Sequence, residues 1–153
     1  MLQLVYHGYD GAGGIKSYTS GFVTYLDSTQ PLDLPVTEWD ISLEVGKHIP
    51  SNFEGMLFRN INCNNCRRVI ILSWGIVKQG GSRHINLYSN NYISTVFNQL
   101  GYRIDTSLEA KLRKQRNTHW WFTKPMMVFQ QEKSSVLIFI YICIMYIFIC
   151  SVA

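Results

Sequence analysis

The chain has 153 residues, 47% of them hydrophobic and 16% charged. That is one domain's length and an ordinary globular composition, which excludes a disordered, collagen-like or disulfide-scaffold protein. The net charge of +4 is unevenly spread: Met1–Glu54 holds seven acids and two bases, Gly55–Lys133 three acids and twelve bases, and the last twenty residues none. The densest basic run, Lys111–Arg116, has no interleaved aromatic residues, so it reads as a solvated helix face and no nucleic-acid partner is evident.

In chain order, Leu4–Tyr9 predicts a short strand that ends in the turn Asp10-Gly11-Ala12-Gly13-Gly14. Phe22–Tyr25 predicts a second strand, closed by Leu26 and Asp27, and Ser28–Pro35 has turn composition. Trp39–Leu43 is a third strand. Phe53, Leu57 and Ile61 have helical spacing, with Ser51 and Glu54 placed as a capping box. If the segment after Leu43 is helical, Glu44 and His48 share one face.

Val69–Trp74 is a continuous apolar run, as expected of a strand covered on both faces. A glycine-rich loop, Val77–Ser82, follows it. Ser89–Leu100 predicts a helix with Ile93, Val96, Phe97 and Leu100 on one side, stopped at Gly101. Tyr102–Ile104 is a strand, Ser107–Arg116 a basic helix and Met126–Gln130 a last strand. Strands alternating with helices define an α/β sheet. Trp120, Trp121 and Phe122 read as packing residues.

Cys63 and Cys66 form a CxxC with no second ligand pair at zinc spacing, and they precede a strand rather than open a helix. They read as ordinary thiols. The amino terminus lacks the charged start and apolar run of a signal peptide. Val136–Cys150 is apolar without a break. As a helix of about 18 residues this end spans ~27 Å, near the ~30 Å hydrocarbon core. Residues 132–153 are therefore expected to form a C-terminal apolar helix that partners a membrane, beyond a domain at 1–131. The basic residues before it favour a domain on the cytoplasmic side. The alternative is a cytoplasmic chain whose tail is read-through of a splice site.

Two segments, WDISLEVGKHIPSNFE at Trp39–Glu54 and VIILSWGIVKQGGSRHINLYSNNYI at Val69–Ile93, end apolar strand-like runs in small and polar residues. They resemble the fourth and fifth strands of class I S-adenosylmethionine-dependent methyltransferases, and the resemblance runs from about Val5 to Phe129. It implies a Rossmann-like methyltransferase sheet with an antiparallel last strand. It also implies that the family's first strand, with its glycine-rich cofactor loop, has no counterpart, so the sheet is incomplete at the amino terminus. Asp40 stands inside a strand where the family has an apolar residue.

The same resemblance implies roles. Asp10 would accept from the ribose hydroxyls of S-adenosylmethionine, with Gly11 allowing close approach. Asp27 would contact the adenine and Leu26 its ring, and Glu44 falls with this cofactor-binding group. His48, Ser73, Trp74, Gln79, Gly80, Gly81 and Asn86 would lie on the acceptor side, and His84 is the catalytic candidate as a general base. Lys47 replaces an acid that some members use for a divalent cation, so no metal site is expected. The implied function is methyl transfer to an unknown acceptor, impaired by the missing strand. The alternative is a non-catalytic, membrane-tethered remnant or fragment. A nicotinamide-dependent oxidoreductase fits poorly, because the glycines of GYDGAGG follow the acid.

Overall fold

The computed structural model describes residues 6–64, 66–115 and 119–132. Its larger sheet has four strands in the order β3-β4-β6-β5: β3 is Thr37–Leu43, β4 Cys66–Ser73, β5 Tyr102–Ile104 and β6 Met126–Gln131. β3 runs parallel to β4, and β6 is antiparallel to both β4 and β5. A second sheet pairs only β1, Gly8–Asp10, with β2, Val23–Tyr25, in parallel. Within the described residues, no strand lies hydrogen-bonded between β1 and β3. The alternating α/β reading holds, and so does the reversed last strand.

One face of the larger sheet carries the core. Ile70 and Leu72 of β4 and Met127 and Phe129 of β6 meet Leu57, Phe58 and Ile61 of helix α2, Glu54–Asn64. Ile93 and Phe97 of helix α3, Asn90–Gln99, complete the layer with Tyr102. Phe97 stacks on Phe129 with centroids 4.6 Å apart and meets Tyr102 edge-on at 5.8 Å. The continuous apolar run of β4 is explained by this position, between β3 and β6 with helices above.

Local signals decide the helix ends. The Ser89 hydroxyl accepts from the Tyr92 N–H at 3.2 Å and starts α3. Gly101, at φ 86°, ends it. Asp105 caps helix α4, Thr106–Arg113, by accepting from the Leu108 N–H at 2.9 Å. The expected capping box of Ser51 and Glu54 does not form. Ser51–Phe53 is a 3-10 turn without a side-chain cap, and the Glu54 carboxylate turns inward to Asn86 and Tyr92. Two four-residue helices, α1 at Ile15–Tyr18 and α5 at Trp120–Thr123, were not expected, since one turn is too short to show a period.

The small sheet is tied to the large one by Asn60 on α2. Its amide nitrogen donates to Ser28 O at 3.1 Å and Gln30 O at 2.8 Å, and its amide oxygen accepts from the Leu32 N–H at 3.1 Å. A side chain 2% exposed thus binds the segment after β2 to α2. These bonds are charge-free and partly buried, and each left unmade would cost about 1–3 kcal/mol.

β3 is the edge of the large sheet, and its outer face is bare. Trp39, Ile41 and Leu43 are 52%, 61% and 40% exposed. On the opposite face, Asp40 sits beside Ile70 and is half-buried. The expected C-terminal helix and the CxxC side chains lie outside the described residues. No described helix is long and apolar enough to cross a membrane.

Burial pushes the Asp40 carboxyl up from 3.8 to about 6, only partly opposed by the Ile41 N–H. The folded state therefore binds the proton more tightly than the unfolded chain. Its contribution is most favourable below pH 4 and is lost as pH rises towards and through 6. Asp40→Asn should raise stability at pH 7 by about 1–3 kcal/mol and flatten the loss between pH 4 and 6. Urea denaturation of both forms across that range checks it. Parallel pH profiles would show that Asp40 is solvated.

Candidate functional site

The carboxyl ends of β3 and β4 meet at Glu44 and Ser73. Glu44 leaves β3 in the left-handed region, at φ 62°. Its N–H donates to Ser73 O at 3.1 Å and to Ser73 Oγ at 2.9 Å, and Ser73 Oγ donates to Glu44 Oε1 at 2.8 Å. The other carboxylate oxygen is ion-paired with the buried Lys47 ammonium. A 3-10 turn at Gly46–His48 brings Lys47 back, so Lys47 rather than His48 shares Glu44's side. The expected one-face pairing of Glu44 with His48 is not formed, because the positive φ breaks the helix before it starts.

Trp74 continues from Ser73 into the core. Its ring is fully buried, stacks on Phe58 at 5.4 Å and donates through Nε1 to Asn86 O at 2.8 Å. A Cβ on Gly46 would fall 2.2 Å from that ring, so only glycine fits there. The Asn86 amide donates to Glu54 Oε2 at 3.0 Å, and Tyr92 donates to Glu54 Oε1 at 2.6 Å. Accepting that bond, with burial adding to it, Glu54 pushes the Tyr92 phenol up to about 12. Ser73, Trp74 and Asn86, expected to face the acceptor, are instead turned inward. They fasten the loop after β4 to β3, α2 and α3.

The loop itself stays at the surface. Gln79 closes a turn with Ile76: its N–H donates to Ile76 O at 2.9 Å and its Oε1 accepts from the Ile76 N–H at 3.0 Å. Lys78, inside that turn, has φ 70°. His84 Nδ1 lies 3.3 Å from Gln79 O, and His48 Nδ1 lies 3.0 Å from Arg83 O. A carbonyl can only accept, so each Nδ1 carries a proton. In the neutral ring Nε2 is then the proton-accepting atom. The two imidazoles meet edge-on, 5.2 Å apart. A Cβ on Gly81 would fall 2.2 Å from the His84 ring, so Gly81 is what lets that ring sit there.

These residues open onto a cavity of about 630 Å³. Glu44, Lys47, Gln79, Gly80 and His84 line it from the β3 and β4 ends, and Trp121, Lys124 and Pro125 close it from the far end of the chain. Its size is typical of small-molecule sites. Gln79, Gly80 and His84 were singled out from the sequence. Lys78, Trp121 and Lys124 were not, since no motif links a loop near residue 78 to one 40 residues later.

Asp10, Gly11, Leu26 and Asp27 sit together on the small sheet and do not line that cavity. Leu26 N–H donates to Asp10 O at 3.0 Å. Asp10 Oδ1 accepts from the Ala12 N–H at 2.7 Å. Asp27 Oδ1 accepts from the Thr29 hydroxyl at 2.7 Å and the Thr29 N–H at 2.9 Å, which hold its carboxyl below the usual range. Both acids therefore build turns, and both are exposed. Among the described residues no group of three or more His, Cys, Asp or Glu is placed to hold a metal ion.

The topology is that of a methyltransferase-type α/β fold. One solved structure with this fold is the magnesium protoporphyrin IX methyltransferase ChlM from Synechocystis PCC 6803 with bound SAH. It is 13% identical, with a TM-score of 0.58 over 82% of this chain, and the chain spans 64% of that structure. At that identity the likeness is one of fold. No family model and no curated protein sequence matches.

The Glu44–Lys47 junction makes a mutational expectation. Glu44→Gln leaves a buried ammonium without its carboxylate and should cost about 3 kcal/mol. Lys47→Met leaves Glu44 held by Ser73 and should cost less than half of that. Equilibrium urea denaturation of the two variants measures the difference. Equal losses would mean that Ser73 contributes nothing to holding Glu44.

Proposed function

We propose that this chain is an S-adenosylmethionine-dependent methyltransferase homologue with a built acceptor half and an incomplete cofactor half. The carrying observation is the strand order. The strand that ends in Asp10 and the strand that ends in Glu44 belong to different sheets, with no described strand hydrogen-bonded between them. Open α/β sheets hold ligands across the carboxyl ends of neighbouring strands. A gap there removes backbone that would cradle the cofactor.

The residues present suit only the nucleoside end of S-adenosylmethionine. Asp10 and Asp27 offer exposed carboxylates at two adjacent strand ends, and Leu26 offers an apolar contact between them. That ChlM was crystallised with SAH supports this choice of cofactor. On the acceptor side, His84 Nε2 is the atom that would receive a proton, with Gln79 O holding the ring through Nδ1. The non-catalytic remnant is the second reading, favoured by the bare outer face of β3.

Calorimetry of the full chain with S-adenosylmethionine tests the proposal. The expected dissociation constant is weaker than about 100 µM, or roughly 5.5 kcal/mol of binding. A low-micromolar value, weakened by Asp10→Ala, would mean that the cofactor half is whole.

Membrane attachment through residues 132–153 is a separate proposal, supported by composition. Lys124 and Lys133 precede the apolar run, and bases on that flank favour a domain on the cytoplasmic side. A soluble reporter fused to Lys133–Ala153 should stay with membranes through alkaline carbonate extraction. Its release into the soluble fraction would remove the anchor.

A further inference from the structure

We propose that the ligand of the 630 Å³ cavity is an organic carboxylate with a flat apolar body. The proposal rests on the reading of this cavity as the acceptor side, and it supplies the acceptor's chemical class.

Charge is the first observation. The cavity is lined by Lys47, Lys78 and Lys124, and Glu44 is the one acid among the described residues of its wall. Glu44 is already taken: one oxygen is ion-paired with Lys47 and the other accepts from Ser73. That leaves Lys78 and Lys124 as a positive pair facing the same space. Both lysines are exposed, so a carboxylate in the cavity gains from them a modest, salt-sensitive attraction.

The second observation is that both lysines stand on held backbone. Lys78 sits at φ 70° inside the Ile76–Gln79 turn, which two hydrogen bonds close. A lysine in the left-handed region is uncommon, and such residues gather at ligand sites. The Lys124 carbonyl accepts from Asn90 Nδ2 at 2.8 Å and from Arg113 Nη2 at 3.1 Å. Pro125, fully buried, fixes the chain just after it. The fold therefore fixes the backbone from which each lysine side chain extends.

The third observation gives the body of the ligand. Trp121 lines the cavity with its ring stacked on His119, centroids 4.4 Å apart and planes 3° from parallel. Ile76 and Val77 line the wall with it. A flat aromatic acid satisfies the indole, the aliphatic wall and the lysine pair together.

The test compares 2-naphthoate, its neutral amide 2-naphthamide and 2-naphthyl phosphate, titrated into the full chain by calorimetry without S-adenosylmethionine. Naphthoate should bind about tenfold or more tightly than the amide at low salt, and the margin should shrink as salt rises to about 0.3 M. In the Lys78→Gln/Lys124→Gln double variant the acid should fall to the affinity of the amide. Thermal unfolding of that variant should match the parent, because neither ammonium holds the fold. Equal affinity for acid and amide, an unchanged margin in the double variant, or no binding of any probe at millimolar concentration would overturn the proposal. Tighter binding of the phosphate by tenfold or more would also overturn it and make the lysines a phosphate site. Because no cofactor is present, failure of the methyl-transfer reading would leave these affinities untouched.

Discussion

Everything at the cavity end of this molecule depends on how the β3 and β4 termini are tied together. Parallel strands present their last carbonyls to the same end and offer no hairpin to close it. Here the closure is a single carboxylate. Glu44 takes a left-handed turn, returns its N–H to Ser73, accepts the Ser73 hydroxyl and draws in the Lys47 ammonium. Lys47 then uses its own carbonyl to hold the N–H groups of Ile85 and Asn86. The loop after β4, with its glycines and His84, is thus suspended between Lys47 and the Trp74–Asn86–Glu54 bonds behind it. That explains why buried polar groups lie so close to an open cavity.

The opposite side of β3 shows the reverse economy. Trp39, Ile41 and Leu43 are the residues of a strand that expects cover, while Asp40, on the core side, is half-buried with its proton held late. An exposed strand edge with three large apolar side chains is a surface that folded proteins ordinarily pair or blunt. The β1–β2 pair stands off from this edge and is joined through Asn60 instead of through a ladder. One amide side chain therefore carries, between the sheets, a task that a central strand performs by backbone bonding.

These two features explain why the cavity end and the small sheet differ in kind. The cavity end is assembled from segments up to about 30 residues apart, locked by hydrogen bonds and an ion pair. The small sheet is local: Asp10 and Asp27 close turns within two residues of themselves, beside strands of three residues each. A short pair of strands with exposed acids provides little enclosure.

Much of the fold was legible from the chain alone, because its signals are local. The apolar run of β4, the Ser89 cap and Gly101 stop of α3, and the alternation of strands with helices all follow from residues close in sequence. Gln79, Gly80 and His84, singled out through the resemblance of the loop after β4, line the cavity. Tertiary structure decided what lies far apart in sequence. It buried Trp74 and Asn86, since a tryptophan at a strand end packs inward or outward according to the helix it meets, here Phe58 on α2. It gave Glu44 to Lys47 instead of His48, because a positive φ cannot be read from a glutamate. It set Trp121 and Lys124 across from Lys78, a juxtaposition that exists only once β6 has entered the sheet beside β4 and carried the preceding turn to the cavity. Local chemistry selects the elements; which side chains share a cavity is settled by the long-range strand pairing that brings their loops to one end.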